Sequence, residues 1–198
     1  MIFNHIILAL VWIIYCVLHS FLAGEWLKSR VRRRMKNFKW YRLWYSVFAF
    51  VFLVVLLYFQ VNMATVRLFA SRGIVFILGL ILCVSGLVLM LACIYKYFMN
   101  LSGLRSLIIE NFSAELEITG VHRYVRHPLY LGTFIFIWGL LLLFPVASLL
   151  IADTIITAYT LIAIEFEEKK LVAEFGDSYT RYKAAVPKLI PSFRSFKG

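Results

Sequence analysis

Long apolar runs separated by short polar segments organise this chain. Residues 2–23, 43–59 and 74–95 are each close to the roughly 20 apolar residues with which a helix crosses a hydrocarbon core about 30 Å thick. A fourth run covers residues 129–164 and is interrupted only by Pro145. As one straight helix it would reach about 54 Å, far more than that core. It must therefore fold back. Proline breaks the helical hydrogen-bond ladder, so Pro145 is the predicted hinge. The pattern predicts a tight helical hairpin with arms 129–144 and 146–164, and five membrane helices in all. The first arm is short for a full crossing. The opening run has no basic n-region and no small-residue cleavage site, and it is too long for a signal-peptide core, so it is read as the first span.

Composition supports this reading. Of 198 residues, 63% are hydrophobic and 16% charged, whereas soluble domains are closer to half apolar and a quarter charged. A disordered chain and a disulfide scaffold are excluded. Cys16, Cys83 and Cys93 all sit inside apolar runs and read as small packed hydrophobes. No zinc-type motif occurs, and no metal is expected. Gly79, Cys83 and Gly86 fall on one helical face, a surface suited to close helix contact. The expected fold is all-α and polytopic.

The net charge is +11, and its distribution sets the orientation. Lys28 to Arg42, the segment from Lys96 to Arg126, and the tail from Lys169 to Lys197 hold every Lys and Arg except Arg67 and Arg72. With five spans these three segments share one side. Positive residues favour the cytoplasmic side, which puts the N-terminus outside and the tail inside. The basic stretch after the first span is read as a topology signal that attracts anionic lipid, with no nucleic-acid partner.

Two polar segments carry the candidate chemistry. The first runs from Glu115 to Gly132 and contains His122, Arg126, His127, Pro128 and Tyr130. Pro128 suits the first position of a helix, so His127 stands where the chain turns into the bilayer. The second leaves the fifth span with Glu165, Glu167 and Glu168. A helical hairpin brings these two segments together. Carboxylates at a membrane exit are costly unless solvated or paired. Leu171, Phe175, Tyr179, Tyr182 and Val186 repeat at helical spacing and predict an amphipathic tail, lying on the membrane or capping a cavity. Gly176 is expected to separate two short helices, with Asp177 capping the second. His19 and Ser20, near the end of the first span, are read as helix-end residues.

Gly120, Val125, Arg126, His127, Pro128, Tyr130 and Gly132, followed by Glu167, Glu168, Leu171, Phe175, Gly176, Tyr179 and Tyr182, form a two-part motif. It resembles that of the isoprenylcysteine carboxyl methyltransferases, within a wider group that includes membrane phospholipid methyltransferases. The resemblance covers about residues 116–191. It implies a single integral-membrane domain, with a three-helix part (1–95) and a cofactor-binding catalytic part (96–198). It also implies S-adenosylmethionine as cofactor, bound at the cytoplasmic end of the last two spans by Leu116, Glu117, His122, His127, Tyr130, Glu167 and Glu168. Catalytic roles fall to His127, Arg126 and His122. Prenylcysteine-specific members carry an arginine where this chain has Ala163, and the tail is similar to that of bacterial thiol S-methyltransferases. The implied partner is therefore a lipophilic or small membrane-permeant acceptor, a carboxylate, thiol or amine, in a bacterial inner membrane. Integral-membrane sterol reductases and a non-enzymatic scaffold are the competing readings.

Overall fold

The structure, a computed structural model, describes residues 2–34, 40–101, 116 and 118–192. Its regular elements are helical: α1 (Ile2–Ala23), α2 (Glu25–Arg34), α3 (Tyr41–Asn62), α4 (Ile74–Leu101), α5 (Pro128–Leu143), α6 (Ala147–Phe175) and α7 (Asp177–Ala185). Among the described residues the only sheet-like pairing is one isolated bridge between Arg67 and Val146. Four helices, α1, α3, α4 and α6, are long and apolar enough to cross a membrane. Helix α5 is also apolar but has 16 residues, about 24 Å of rise at 1.5 Å per residue. Large apolar side chains such as Phe3, Phe50, Val61 and Ile81 stand exposed. On a water-soluble protein a surface of this kind would be a liability; against lipid it is the ordinary exterior.

The basic segment after α1 is itself partly helical. Helix α2 has the sequence EWLKSRVRRR, and the guanidinium of Arg30 lies 5.2 Å from the centre of the Trp26 ring. An aromatic beside clustered cations is typical of a membrane interface.

The chain divides into two compact units. The first comprises residues 2–34, 40–70, 97–101 and 145–156 among those described. Its core joins Leu8, Trp12, Leu56, Met63 and Ala152. One buried polar pair there is Trp12 with Gln60, the indole donating at 2.8 Å. The break before α6 is also satisfied. Leu68 N donates to Pro145 O at 2.7 Å and Ala147 N donates to Val66 O at 2.9 Å. Non-helical backbone at membrane depth survives only when its N–H and C=O groups find such partners.

The second unit comprises residues 71–96, 116, 118–144 and 157–192 among those described. In it α5 runs antiparallel to the later part of α6. Trp138 bonds Thr157 at 3.1 Å, Tyr130 bonds Glu167 at 3.0 Å, and His127 meets Glu168 at 3.1 Å. Each step back along one arm is matched by a step forward along the other, which is the predicted hairpin. Helix α4 packs on α5 through the small-residue face. A Cβ on Gly86 would lie 2.6 Å from Phe136 N and 2.8 Å from Gly132 O; one on Gly139 would lie 2.8 Å from Cys83 N. Such backbone approach is the usual means of helix association in lipid, where no hydrophobic force favours contact.

Two expectations for the tail are corrected. The segment before Gly176 is no separate short helix: it continues α6 without a break to Phe175. Nothing in 165–175 interrupts the ladder, and charged residues are good helix formers. Nor does Asp177 cap the second helix. Gly176 occupies the N-cap with φ 55°, and Asp177 sits in the first turn. Only a residue without a Cβ takes that backbone readily, so glycine does the turning.

Substituting Gly86 by Ala should destabilise the protein by about 1–3 kcal/mol, since the new methyl meets backbone with no room to move. Thermal unfolding in detergent measures this. Gly73, whose added Cβ would meet nothing within 4 Å but whose φ is 53°, should respond to Ala only through backbone strain.

Candidate functional site

The site forms where α5 begins and the polar end of α6 passes it. Pro128 opens α5 at its first position and His127 is the N-cap, with φ −121° and ψ 65°. Residues 120–123 make one 3-10 turn. The stretch after it is fastened to the tail: Arg126 N donates to Pro187 O (3.0 Å), His127 N to Lys188 O (3.2 Å), and Ser192 N to Tyr124 O (2.8 Å).

At the centre is Glu168, with 1% of its surface exposed. Its Oε1 accepts from Arg126 Nε and Nη2, both at 2.9 Å, and from His127 Nε2 at 3.1 Å. The Lys183 ammonium lies 2.8 Å from Oε2. Burial opposes the charge on Glu168, but Lys183, His127 and Arg126 outweigh it and hold the carboxyl down from 4.5 to about 2. Arg126 is buried too, and its Nη1 donates to Lys183 O (2.5 Å) and Val186 O (2.6 Å). The arginine thus joins α6 to the end of α7.

Glu167 is placed differently. It is half-buried and accepts from the Tyr130 hydroxyl at 3.0 Å. Among the described residues no cation pairs with it. The Tyr130 ring stacks on His127, with centroids 5.7 Å apart and planes at 25°. Glu165, exposed, pairs with Lys188, which lowers its pKa.

Arg126, His127, Tyr130, Glu167 and Glu168 therefore form one cluster, as the hairpin argument requires. His122 stands at its edge: its Nδ1 donates to Arg126 O at 3.1 Å, and its carbonyl accepts from Tyr182 OH at 2.7 Å. Leu116 packs on the core of Tyr179, Tyr182 and Val186, along with Ile118, Leu171 and Phe175. The tail's apolar stripe thus faces inward and is not a membrane-lying surface. Glu117 falls outside the described residues.

Sequence reasoning passed over two residues. Lys183 completes the charge balance of Glu168; its place one turn after Tyr179 was the available signal. Asp153, in the first unit, is 2% exposed inside an apolar run. It is the only acid between residues 146 and 164, and an intramembrane carboxyl is itself a signal.

A family described as phospholipid methyltransferase matches residues 74–178. The chain belongs to this family. A methanethiol S-methyltransferase of Crocosphaera subtropica is 39% identical over 97 residues, covering 46% of this chain and 37% of that protein. A protein-S-isoprenylcysteine O-methyltransferase of Schizosaccharomyces pombe is 41% identical over 77 residues, 38% of this chain and 33% of its own length. A methanethiol S-methyltransferase of Mycobacterium tuberculosis is 37% identical over 71 residues, 36% of this chain and 28% of its own. The similarity thus spans about a third of each relative's length. No solved structure matches the chain significantly.

The depressed pKa of Glu168 gives a stability prediction. Its folded value lies below the unfolded one, so its contribution is present above the unfolded value, 4.5, and is lost as pH falls through about 2. The wild-type melting temperature should fall over that window, and that of Glu168→Gln should depend less on pH there. Glu168→Ala should cost about 3–5 kcal/mol, because it strands the buried Arg126 charge.

Proposed function

We propose that this chain is an integral-membrane methyltransferase that takes its methyl group from S-adenosylmethionine. The observation that carries this reading is the unequal use of two adjacent acids. Glu168 is filled by cations from its own chain. Glu167 keeps a carboxylate that, among the described residues, accepts from a neutral phenol and pairs with no cation, so it has capacity for an external cation. The donor is cationic at its ammonium and sulfonium, and the residues fit it. Membership of a methyltransferase family points the same way.

Bound at this site, S-adenosylmethionine supplies an activated methyl group on sulfur. The protein's remaining work is alignment and exclusion of water. Glu167 holds the ammonium, with Tyr130 fixing the carboxylate. Glu168 and Arg126 act by position: they hold His127 and the tail in place. Glu168 accepts from His127 Nε2, which assigns the proton to that nitrogen and leaves the lone pair on Nδ1. That nitrogen is the base for an acceptor that must lose a proton, with His122 behind it. Leu116 and the Tyr179–Tyr182 core close the tail side, and Glu117 belongs with the donor contacts.

For the acceptor we propose a small thiol, in keeping with the names of several relatives and with Ala163 at the position where prenylcysteine-specific members carry an arginine. The topology that goes with this reading has five spans, α5 being the short one. The N-terminus is outside, and the site and tail are on the cytoplasmic face of a bacterial inner membrane, where the donor is found. Lys and Arg distribution supports it.

Purified protein incubated with methyl-labelled donor and a short alkanethiol should yield the labelled thioether; no transfer to any thiol or membrane-extract component would refute the activity. Glu167→Gln should weaken S-adenosylhomocysteine binding by about tenfold in calorimetry, on the scale of a lost charged hydrogen bond. His127→Ala should lower turnover by about a hundredfold, the low end of base catalysis.

A further inference from the structure

The Tyr179 ring packs in the tail's apolar core, but its hydroxyl is paired with none of the described residues. Its side chain is 1% exposed, and its hydroxyl is buried without a hydrogen-bond partner. The contrast with Tyr182 is direct. The two rings pack edge to face with centroids 5.9 Å apart, yet the Tyr182 hydroxyl donates to His122 O at 2.7 Å. An orphaned buried hydroxyl costs about 1–3 kcal/mol, and tyrosine buried elsewhere in proteins usually finds a partner. Phenylalanine would fill the same space without that cost.

Its location narrows the purpose. Tyr179 lies one turn before Lys183 on α7, and residues at that spacing share a face. Lys183 reaches Glu168 at 2.8 Å, so Tyr179 occupies the face that α7 turns toward the acidic pair. The charges of Glu168, Arg126 and Glu167 all bear on the phenol, and burial together with Glu168 raises its pKa. At neutral pH it is therefore a hydroxyl with a proton to donate. The other donors are taken: Arg126 by Glu168 and two carbonyls, Tyr130 by Glu167.

We propose that Tyr179 is a ligand-binding residue, whose hydroxyl donates a hydrogen bond to the carboxylate of the methyl donor's amino-acid end. This rests on the reading of Glu167 as the ammonium site. The two assignments complement each other: the amino-acid end is a zwitterion, and it meets an acid for its ammonium and a neutral donor for its carboxylate. The surroundings balance in the same way, since Glu167 and Glu168 stand against Arg126 and Lys183. The orphaned hydroxyl is then a group held ready, strained in the free protein and satisfied in the complex.

The test uses the full chain in detergent or nanodiscs, with calorimetry and thermal unfolding. Three probes are S-adenosylhomocysteine, its decarboxylated analogue, and 5′-methylthioadenosine, which lacks the amino-acid end. The wild type should bind S-adenosylhomocysteine more tightly than the decarboxylated analogue. Tyr179→Phe should weaken S-adenosylhomocysteine by about tenfold and leave 5′-methylthioadenosine within about twofold. Its ligand-free melting temperature should equal or exceed the wild type's, whereas Tyr182→Phe should lower it. Equal wild-type affinity for the carboxylated and decarboxylated probes overturns the proposal without need of a variant. So does an unchanged affinity of Tyr179→Phe for S-adenosylhomocysteine, or an equal loss for S-adenosylhomocysteine and 5′-methylthioadenosine. In those cases the donor site at Glu167 stands. Failure of the wild type to bind any of the three removes the donor reading itself, and Tyr179's role with it.

Discussion

A carboxylate taken almost wholly out of water has to be compensated where it stands, and in this protein that demand falls on Glu168. Desolvating an ion costs several kcal/mol even after relaxation, so the acid is tolerable only with cations fixed around it. Arg126 arrives from the segment before α5, and Lys183 from α7, while Glu168 itself projects from α6. Three parts of the chain, distant in sequence, are thereby tied at one point. Arg126 extends the tie through the carbonyls of Lys183 and Val186. The ordering of His127 and the docking of the tail both follow from satisfying one buried charge.

That tie divides the labour between two neighbouring acids. Successive helical residues point about 100° apart, so Glu167 and Glu168 cannot face the same way. One is turned into the cluster and saturated. The other is turned toward Tyr130 and, among the described residues, meets no cation. The same division separates the tail's tyrosines: Tyr182 is consumed in fastening His122, while Tyr179 is left unpaired beside the acids.

The hairpin that presents the acids depends on close packing in lipid. Gly86, Gly132 and Gly139 bring α4 and α5 within backbone contact, and where the chain reverses at Pro145 its carbonyl is answered by Leu68 N and the Ala147 amide by Val66 O. Without those answers an irregular segment at this depth would expose unpaired amides to hydrocarbon.

Much of this was legible along the chain. Apolar runs of bilayer length, Pro145 as a hinge and Pro128 as a helix start follow from local rules, because a hydrocarbon solvent leaves a backbone few choices. The nearness of His127 to the acidic pair followed from the hairpin alone. The continuity of α6 to Phe175 was not legible, since Gly176 marks a break without saying how much helix precedes it. Nor could spacing say which acid would be buried, that Lys183 would balance it, or that the tail's apolar stripe would close on Leu116 and not on lipid. Sequence by itself determined where the long apolar helices lie and that α5 and α6 double back, since those depend on residues a few positions apart and on the solvent around them. Only the tertiary structure decided which polar groups are spent on one another and which remain available, because pairing depends on distances between segments that local pattern does not encode.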